Sequence, residues 1–300
     1  MSFPGVFTDS ILPDQIHNLN VSFFIDQLEE KFGGNGGNIA YSLALLGEKS
    51  LILGTVGKDF APYAQALEKL GLSLEGIKRL DGERTAAAYI TTDRSGNQIT
   101  AFHAAAMMTP CGYTFPNLEP KTDLALIGPS NPSDMRGHPA LYRKNKIRYI
   151  YDPAQQLPVL SGEDLADAVA GAWLLVGNDY EIKLIQNRLG VTEAALAAMT
   201  GLGLISTLGA EGSMYTSPNG DCLHIPAVPV STVADPTGAG DAYRSGLIKG
   251  LLMGLAPERA GRLGAVCAAY CIESLGTQEH RFTREEFASR FEKAFGDRPW

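Results

Sequence analysis

Between residues 123 and 206 the chain alternates short apolar runs with helical stretches, and this alternation limits its possible folds more than any other feature. The runs Asp123-Leu124-Ala125-Leu126-Ile127-Gly128, Ile147-Arg148-Tyr149-Ile150-Tyr151-Asp152 and Ala172-Trp173-Leu174-Leu175-Val176-Gly177 read as strands, as does 203–206. Helices are predicted over 132–144, over 165–170 and from Asn178-Asp179-Tyr180-Glu181 to Leu189. Strand, helix and strand repeated in this way build a parallel sheet with helices packed on it. The same pattern occurs upstream, with strands over 50–57 and 72–80 around a helix over 58–70.

The pattern changes at 85–92 and 98–102, two alternating stretches joined by Asp93-Arg94-Ser95-Gly96-Asn97, a hairpin turn. A hairpin inside an α/β chain predicts a separate small sheet. With a short strand over 21–25 it would form a lid of at least three strands, able to close over substrate and exclude water. A second hairpin is predicted over 214–217 and 222–225, and helices over 239–255, 257–275 and 284–295 complete the chain. The expected fold class is α/β, with a mostly parallel central sheet and a small antiparallel β lid.

Charge and cysteine usage exclude several functions. The net charge of −8 argues against a nucleic-acid partner, and Arg143-Lys144-Asn145-Lys146 reads as the solvated end of a helix. Cys111, Cys222, Cys267 and Cys271 form no CxxC pair and read as buried thiols in a reducing compartment. No apolar run is long enough to span a membrane and no signal peptide precedes the fold, so the expected location is cytoplasmic.

The chemistry is carried by glycine-rich turns that follow predicted strands. In open parallel sheets the carboxyl ends of the strands face the ligand crevice. Gly33-Gly34-Asn35-Gly36-Gly37-Asn38 leads into an apolar helix over 39–46 that stops at Gly47. Asn38 can donate and accept at once, which suits a pair of sugar hydroxyls; the alternative is a helix N-cap. Asp152 ends one strand, with helix capping as its alternative role. Asn178 and Glu181 end another, and their spacing is equally that of a capping box. Thr207-Leu208-Gly209-Ala210-Glu211-Gly212 is a further phosphate-compatible loop.

Asp235-Pro236-Thr237-Gly238-Ala239-Gly240-Asp241 opens the helix over 239–255. The free N–H groups of such a turn favour an anion, and Asp241 sets a carboxylate beside it. An anion site with an adjacent base is the minimum equipment for moving a phosphoryl group onto a hydroxyl. Neither GxxxxGK[ST] nor GxGxxG is present, which disfavours a Walker-type NTPase and a dinucleotide-binding enzyme.

These motifs together resemble the ribokinase-like, or phosphofructokinase-B, family of carbohydrate and nucleoside kinases. Asp235–Asp241 is similar to its C-terminal signature, and Gly33-Gly34-x-x-x-Asn38 to its N-terminal substrate signature. Asn178-x-x-Glu181 resembles its magnesium-associated motif and Thr207-x-Gly209-x-x-Gly212 its nucleotide-phosphate loop. The resemblance implies a three-layer α/β/α fold, with the catalytic domain over 34–84 and 109–300 and the lid over 13–33 and 85–108. It implies ATP and Mg²⁺ as cofactors and Asp241 as general base. The amides of Gly238, Ala239 and Gly240 would stabilise the transferring phosphoryl group. Asn178 and Glu181 would order the metal, held through water. Thr207, Gly209 and Gly212 would line the ATP phosphates, with Gly276 and Thr277 near the adenine. Gly34, Asn38, Phe102 and Arg244 would contact the substrate.

Within the family, Asp241-Ala242-Tyr243-Arg244-Ser245-Gly246, Ile11-Leu12-Pro13-Asp14-Gln15-Ile16-His17 and Gln98-Ile99-Thr100-Ala101-Phe102-His103 are closest to bacterial adenosine and nucleoside kinases. The expected acceptor is a nucleoside, adenosine first; the alternatives are a free sugar such as ribose or fructose, or a catalytically weak binding protein. The expected state is a monomer or homodimer. The family's first strand, with a sugar-gripping Asp, has no counterpart here, so Met1 is expected to correspond to a point beyond it.

Overall fold

The computed structural model describes residues 1–7, 21, 22 and 24–300. The first part contains α1 (Asn35–Leu45), β1 (Gly54–Gly57), α2 (Ala61–Lys69), β2 (Ile77–Leu80), β3 (Ala87–Thr92) and β4 (Gln98–His103). The middle contains β5 (Leu124–Ile127), α3 (Pro132–Lys144), β6 (Arg148–Tyr151), α4 (Gly162–Ala170), β7 (Leu174–Asn178), α5 (Asp179–Leu189) and α6 (Glu193–Ala198). Then follow β8 (Leu204–Thr207), β9 (Ser213–Thr216), β10 (Cys222–Ile225), α7 (Ala239–Leu252), α8 (Pro257–Ile272) and α9 (Arg284–Phe295).

Six strands form the main sheet in the order β10-β9-β8-β7-β6-β5. β5 to β8 are parallel and β9 turns back against β8. Consecutive parallel neighbours require right-handed crossovers, which put α3, α4 and α5 on one face. Strand residues accordingly alternate between two cores. Ile150, Leu174, Val176 and Ile205 join side chains of α1, α7, α8 and α9, whereas Tyr149, Tyr151, Leu175 and Leu204 join those of α3 to α6. The result is the three-layer α/β/α arrangement. β7 is apolar on both faces because both are covered, as a central parallel strand must be.

α7 is buried from Asp241 to Leu251 and lies against α8. Glycine permits this approach. A Cβ on Gly246 would stand 2.3 Å from the Leu263 carbonyl oxygen, and one on Gly250 would stand 2.5 Å from Ala260 Cα. The close pairing anchors α7 and aims its N-terminus at the edge of the sheet where β6, β7 and β8 end.

Several details depart from expectation. α1 begins at Asn35, so Gly36 and Gly37 lie in its first turn and Asn38 is inside the helix rather than its cap. Gly34 supplies the left-handed entry, with φ of 90°, and its carbonyl accepts the Asn38 N–H at 2.8 Å. Gly37 is glycine for space, since a Cβ would stand 1.9 Å from Tyr63 Oη. α6 was not foreseen; Thr192 caps it by accepting the Ala195 N–H. β1 and β2 are shorter than the predicted strands and form their own parallel pair, joined to the main sheet by no described strand.

The small antiparallel sheet also differs. β3 and β4 pair as expected, but residues 21, 22, 24 and 25 form no strand, and Phe24 is exposed. The extra edge comes instead from the chain start: Phe3 N–H donates to the Thr92 carbonyl at 2.9 Å, and Ser2 bridges both Thr92 and Gln27. Ile11 to His17, including Asp14, and Phe23 lie outside the described residues. All four thiols are free; Cys111, Cys267 and Cys271 are buried, while Cys222 is exposed rather than buried because it lies on the edge strand β10. Among the described residues, no helix is long and apolar enough to cross a membrane.

Candidate active site

Three adjacent parallel strands deliver polar residues to one edge of the sheet. β6 runs into Asp152, β7 ends on Asn178 and β8 ends on Thr207; Asn178 and Thr207 are register partners. α7 opens with Gly238 in the left-handed conformation, φ 82°. A Cβ there would meet Thr277 Cγ2 at 2.8 Å, so glycine is needed for both backbone shape and space. The Gly238 and Gly240 N–H groups donate to no described residue, whereas the Ala239 N–H donates to the Pro236 carbonyl at 3.2 Å. Two free amides at a helix start form an anion site.

Asp241 lies in the first turn of α7 and is 7% exposed. Asn35 Nδ2 donates to its Oδ1 at 2.8 Å and Asn38 Nδ2 to its Oδ2 at 2.7 Å. Burial pushes the Asp241 carboxyl up, while the two amide donors and the Arg244 guanidinium oppose the shift. A carboxyl raised by burial yet held by two donors has the basicity and fixed direction that proton abstraction needs.

Both asparagines are themselves held. Asn38 Oδ1 accepts from Thr277 Oγ1 at 2.8 Å and from Gln278 Nε2 at 2.9 Å, which turns its amide nitrogen toward Asp241. Gln278 also reaches Tyr63 Oη at 2.6 Å, and Tyr63 donates to the Gly33 carbonyl. Gln155 Nε2 donates to Asn35 Oδ1 at 2.9 Å and turns that amide the same way.

One turn behind Asp241, Arg244 and Asp152 form a buried ion pair, 7% and 1% exposed. Arg244 Nη2 donates to Asp152 Oδ1 at 2.8 Å. Burial pushes the Asp152 carboxyl up and the guanidinium pulls against it. The guanidinium packs under the anion turn, where a Cβ on Gly240 would stand 2.6 Å from Arg244 Nη1.

Asn178 and Glu181 form a complete capping box: each side chain accepts the other's N–H, both at 2.8 Å. The Glu181 carboxyl is raised, chiefly by burial. Its second oxygen stays outside the box, so the pair can cap α5 and still offer a hard oxygen donor. That donor fits Mg²⁺, which takes few protein oxygens and keeps its waters. The loop after β8 is compact: Leu208 N–H donates to the Gly212 carbonyl at 2.8 Å, and Gly212 has φ of 92°.

Gly276 and Thr277 pack against the anion turn. Gly276 N–H donates to Asp235 Oδ2 at 3.1 Å, and Thr277 reaches Asn38. Phe102 stands on β4, 59% exposed, and Gly34 is the entry to α1. Sequence reasoning missed Asn35, Gln155 and Tyr63. The signal for Asn35 was present: with the helix started at 35, positions 35 and 38 share a face.

A buried carboxylate beside a free-amide anion turn, with a capped carboxylate at the strand ends, fits a small-molecule kinase of ribokinase-like fold. The chain belongs to the pfkB family of carbohydrate kinases, whose sequence pattern it matches over residues 8–283. It is 30% identical to the nucleoside kinase of Methanothermobacter thermautotrophicus over 289 residues, 95% of this chain and 93% of that one. Its structure is similar to the Burkholderia thailandensis nucleoside kinase solved with inosine, with TM-score 0.89 and 37% identity over 99% of this chain and 95% of that one. It is also similar to the Methanocaldococcus jannaschii nucleoside kinase, a ribokinase-family structure, with TM-score 0.85 and 28% identity over 97% and 94% of the two chains. The protein is thus an ATP-dependent carbohydrate or nucleoside kinase.

Proposed function

We propose that this kinase transfers the γ-phosphoryl group of ATP to the 5′-hydroxyl of a nucleoside, with adenosine the preferred acceptor and the cytoplasm its place of action. The observation that carries the phosphoryl-transfer reading is the Asp241 carboxyl, buried at the start of α7 with an amide donor on each oxygen. The nucleoside reading is supported by the nucleoside kinases that the chain resembles over nearly its whole length, one of them solved with inosine.

In this reaction Asp241 takes the proton of the attacking hydroxyl, the new O–P bond forms, and the bond from phosphorus to the ADP oxygen breaks. The Gly238 and Gly240 amides face the charge that builds on the phosphoryl oxygens. Thr207, Gly209 and Gly212 would line the ATP phosphates, with Gly276 and Thr277 on the nucleotide side. Gly34, Asn38 and Phe102 would lie along the nucleoside. Arg244, held by Asp152, keeps the anion turn and Asp241 in place. Glu181, with Asn178, would hold Mg²⁺ through water, and that ion would neutralise phosphate charge.

The test is an ADP-release assay over adenosine, inosine, other nucleosides, ribose and fructose. The expected result is the highest kcat/KM for adenosine, with other purine nucleosides next. Turnover of free sugars without nucleosides would overturn the proposal, and a clear preference for inosine would move its specificity. Asp241→Asn should lower kcat by roughly 10²–10⁴-fold, the usual contribution of a positioned base.

A further inference from the structure

A second polar cluster lies outside the network around Asp241. Cys111 sits on the connection that leads from the β3–β4 hairpin back to β5, and Asp134 and His138 sit on α3. Asp134 and His138 are four residues apart, so they share one helix face. Cys111 is buried and the other two are half-buried, and the three donor atoms (a thiol sulfur, a carboxylate oxygen and an imidazole nitrogen) all lie within 4.8 Å of one another. Their placement is built. The Cys111 N–H donates to Asp134 Oδ2 at 2.8 Å, which fixes the connection onto the helix. Gly112 then turns the chain with φ of 63°. The His138 ring packs against Tyr142 at 5.6 Å and edge-on to Phe115 at 6.3 Å, and among the described residues neither ring nitrogen is hydrogen-bonded. A cavity of about 610 Å³, walled by residues 113–119 with Leu141 and Asn145, lies further along the same connection and helix, and none of the three donor residues lines it.

We propose that Cys111, Asp134 and His138 bind one Zn²⁺ ion, with water as the fourth ligand. Donor atoms around a tetrahedral zinc stand roughly 3–4 Å apart, so side-chain rotations of about 1 Å complete the site. The thiolate selects zinc over magnesium and calcium, which prefer oxygen ligands only. On binding, the thiol gives its proton to solvent and the sulfur lone pair forms the Zn–S bond, releasing one proton per ion. The bound ion would brace the start of α3 against the chain leaving the hairpin, where Asn131 already donates to the Met107 carbonyl at 3.0 Å. The site is independent of the kinase reading.

The test uses Co²⁺ as the probe, on the full chain stripped with chelator and carrying Cys222→Ser to remove the exposed thiol. The expected result is one equivalent bound, with a thiolate-to-cobalt charge-transfer band, release of one proton and displacement by Zn²⁺. Cys111→Ser should abolish the band, and His138→Ala should weaken Co²⁺ binding by at least about tenfold. A folded Cys222→Ser protein that shows no charge-transfer band overturns the proposal. So does a band that survives Cys111→Ser. The decisive measurement is made with all three ligands intact, so it does not depend on the variants folding.

Discussion

Asn38→Ala tests whether Asp241 is the base and whether its amide partners tune it. The substitution removes the 2.7 Å donor to Asp241 Oδ2 and leaves Thr277 Oγ1 and Gln278 Nε2 without their shared acceptor. A hydrogen bond to a charged group contributes about 1.5–3 kcal/mol. Losing the Asn38 donor removes one of the interactions that oppose the effect of burial, so the Asp241 carboxyl, already raised, should rise further, and less so where water enters the gap. Only the ionised carboxylate accepts the proton, so activity is present above the Asp241 pKa and lost as pH falls through it. The acid limb of kcat/KM should thus move to higher pH, with a smaller loss on the neutral plateau because Asn35 still holds Oδ1 at 2.8 Å. Asn35→Ala should shift the limb in the same direction. Rates of ADP release as a function of pH provide the readout. An acid limb that stays in place, or moves down, in a folded variant would show that Asn38 does not set the ionisation of the catalytic base.

Gly246→Val should destabilise the fold by about 1–3 kcal/mol, as overpacking does, because its Cβ would sit 2.3 Å from the Leu263 carbonyl; denaturant unfolding measures it. Arg244→Met strands the buried Asp152 carboxylate and should cost about 3–5 kcal/mol, while adding Asp152→Leu should recover much of the loss. Their thermal unfolding distinguishes a lost pair from an orphaned charge. His280 is held neutral by burial, its pKa lowered to about 4. Its folded value lies below the unfolded one, so the unfolded chain binds the extra proton, and stability should fall as pH drops from about 6.5 toward 4 by up to about 3 kcal/mol. In urea titrations, His280→Gln should flatten that acid dependence; an unchanged slope would remove His280 as its source.

What the sequence determined is the layered architecture and the chemical inventory. Helices predicted over 132–144 and 284–295 are α3 and α9, because capping residues and amphipathic spacing are local. The Asn178–Glu181 capping box was equally legible, since both partners lie within one helical turn. The strands over 50–57 and 72–80 were overextended because an apolar run continues past the point where a neighbouring strand stops pairing.

The tertiary structure decided what lies far apart in the chain. Whether residues 1–3 or 21–25 border the β3–β4 hairpin depends on which backbone reaches Thr92, and no local pattern encodes that. The need for glycine at position 37 depends on Tyr63, whose hydroxyl leaves no room for a Cβ there. The Asp241 centre depends most of all on distant partners: Asn35 and Asn38 lie 206 and 203 residues away, and Gln278 lies 240 residues from Asn38. Side chains can be chosen locally for donating and accepting. Which donor faces which acceptor is fixed only when α1, α7 and the turn after α8 pack together and exclude water, leaving each buried polar atom to be satisfied by the others.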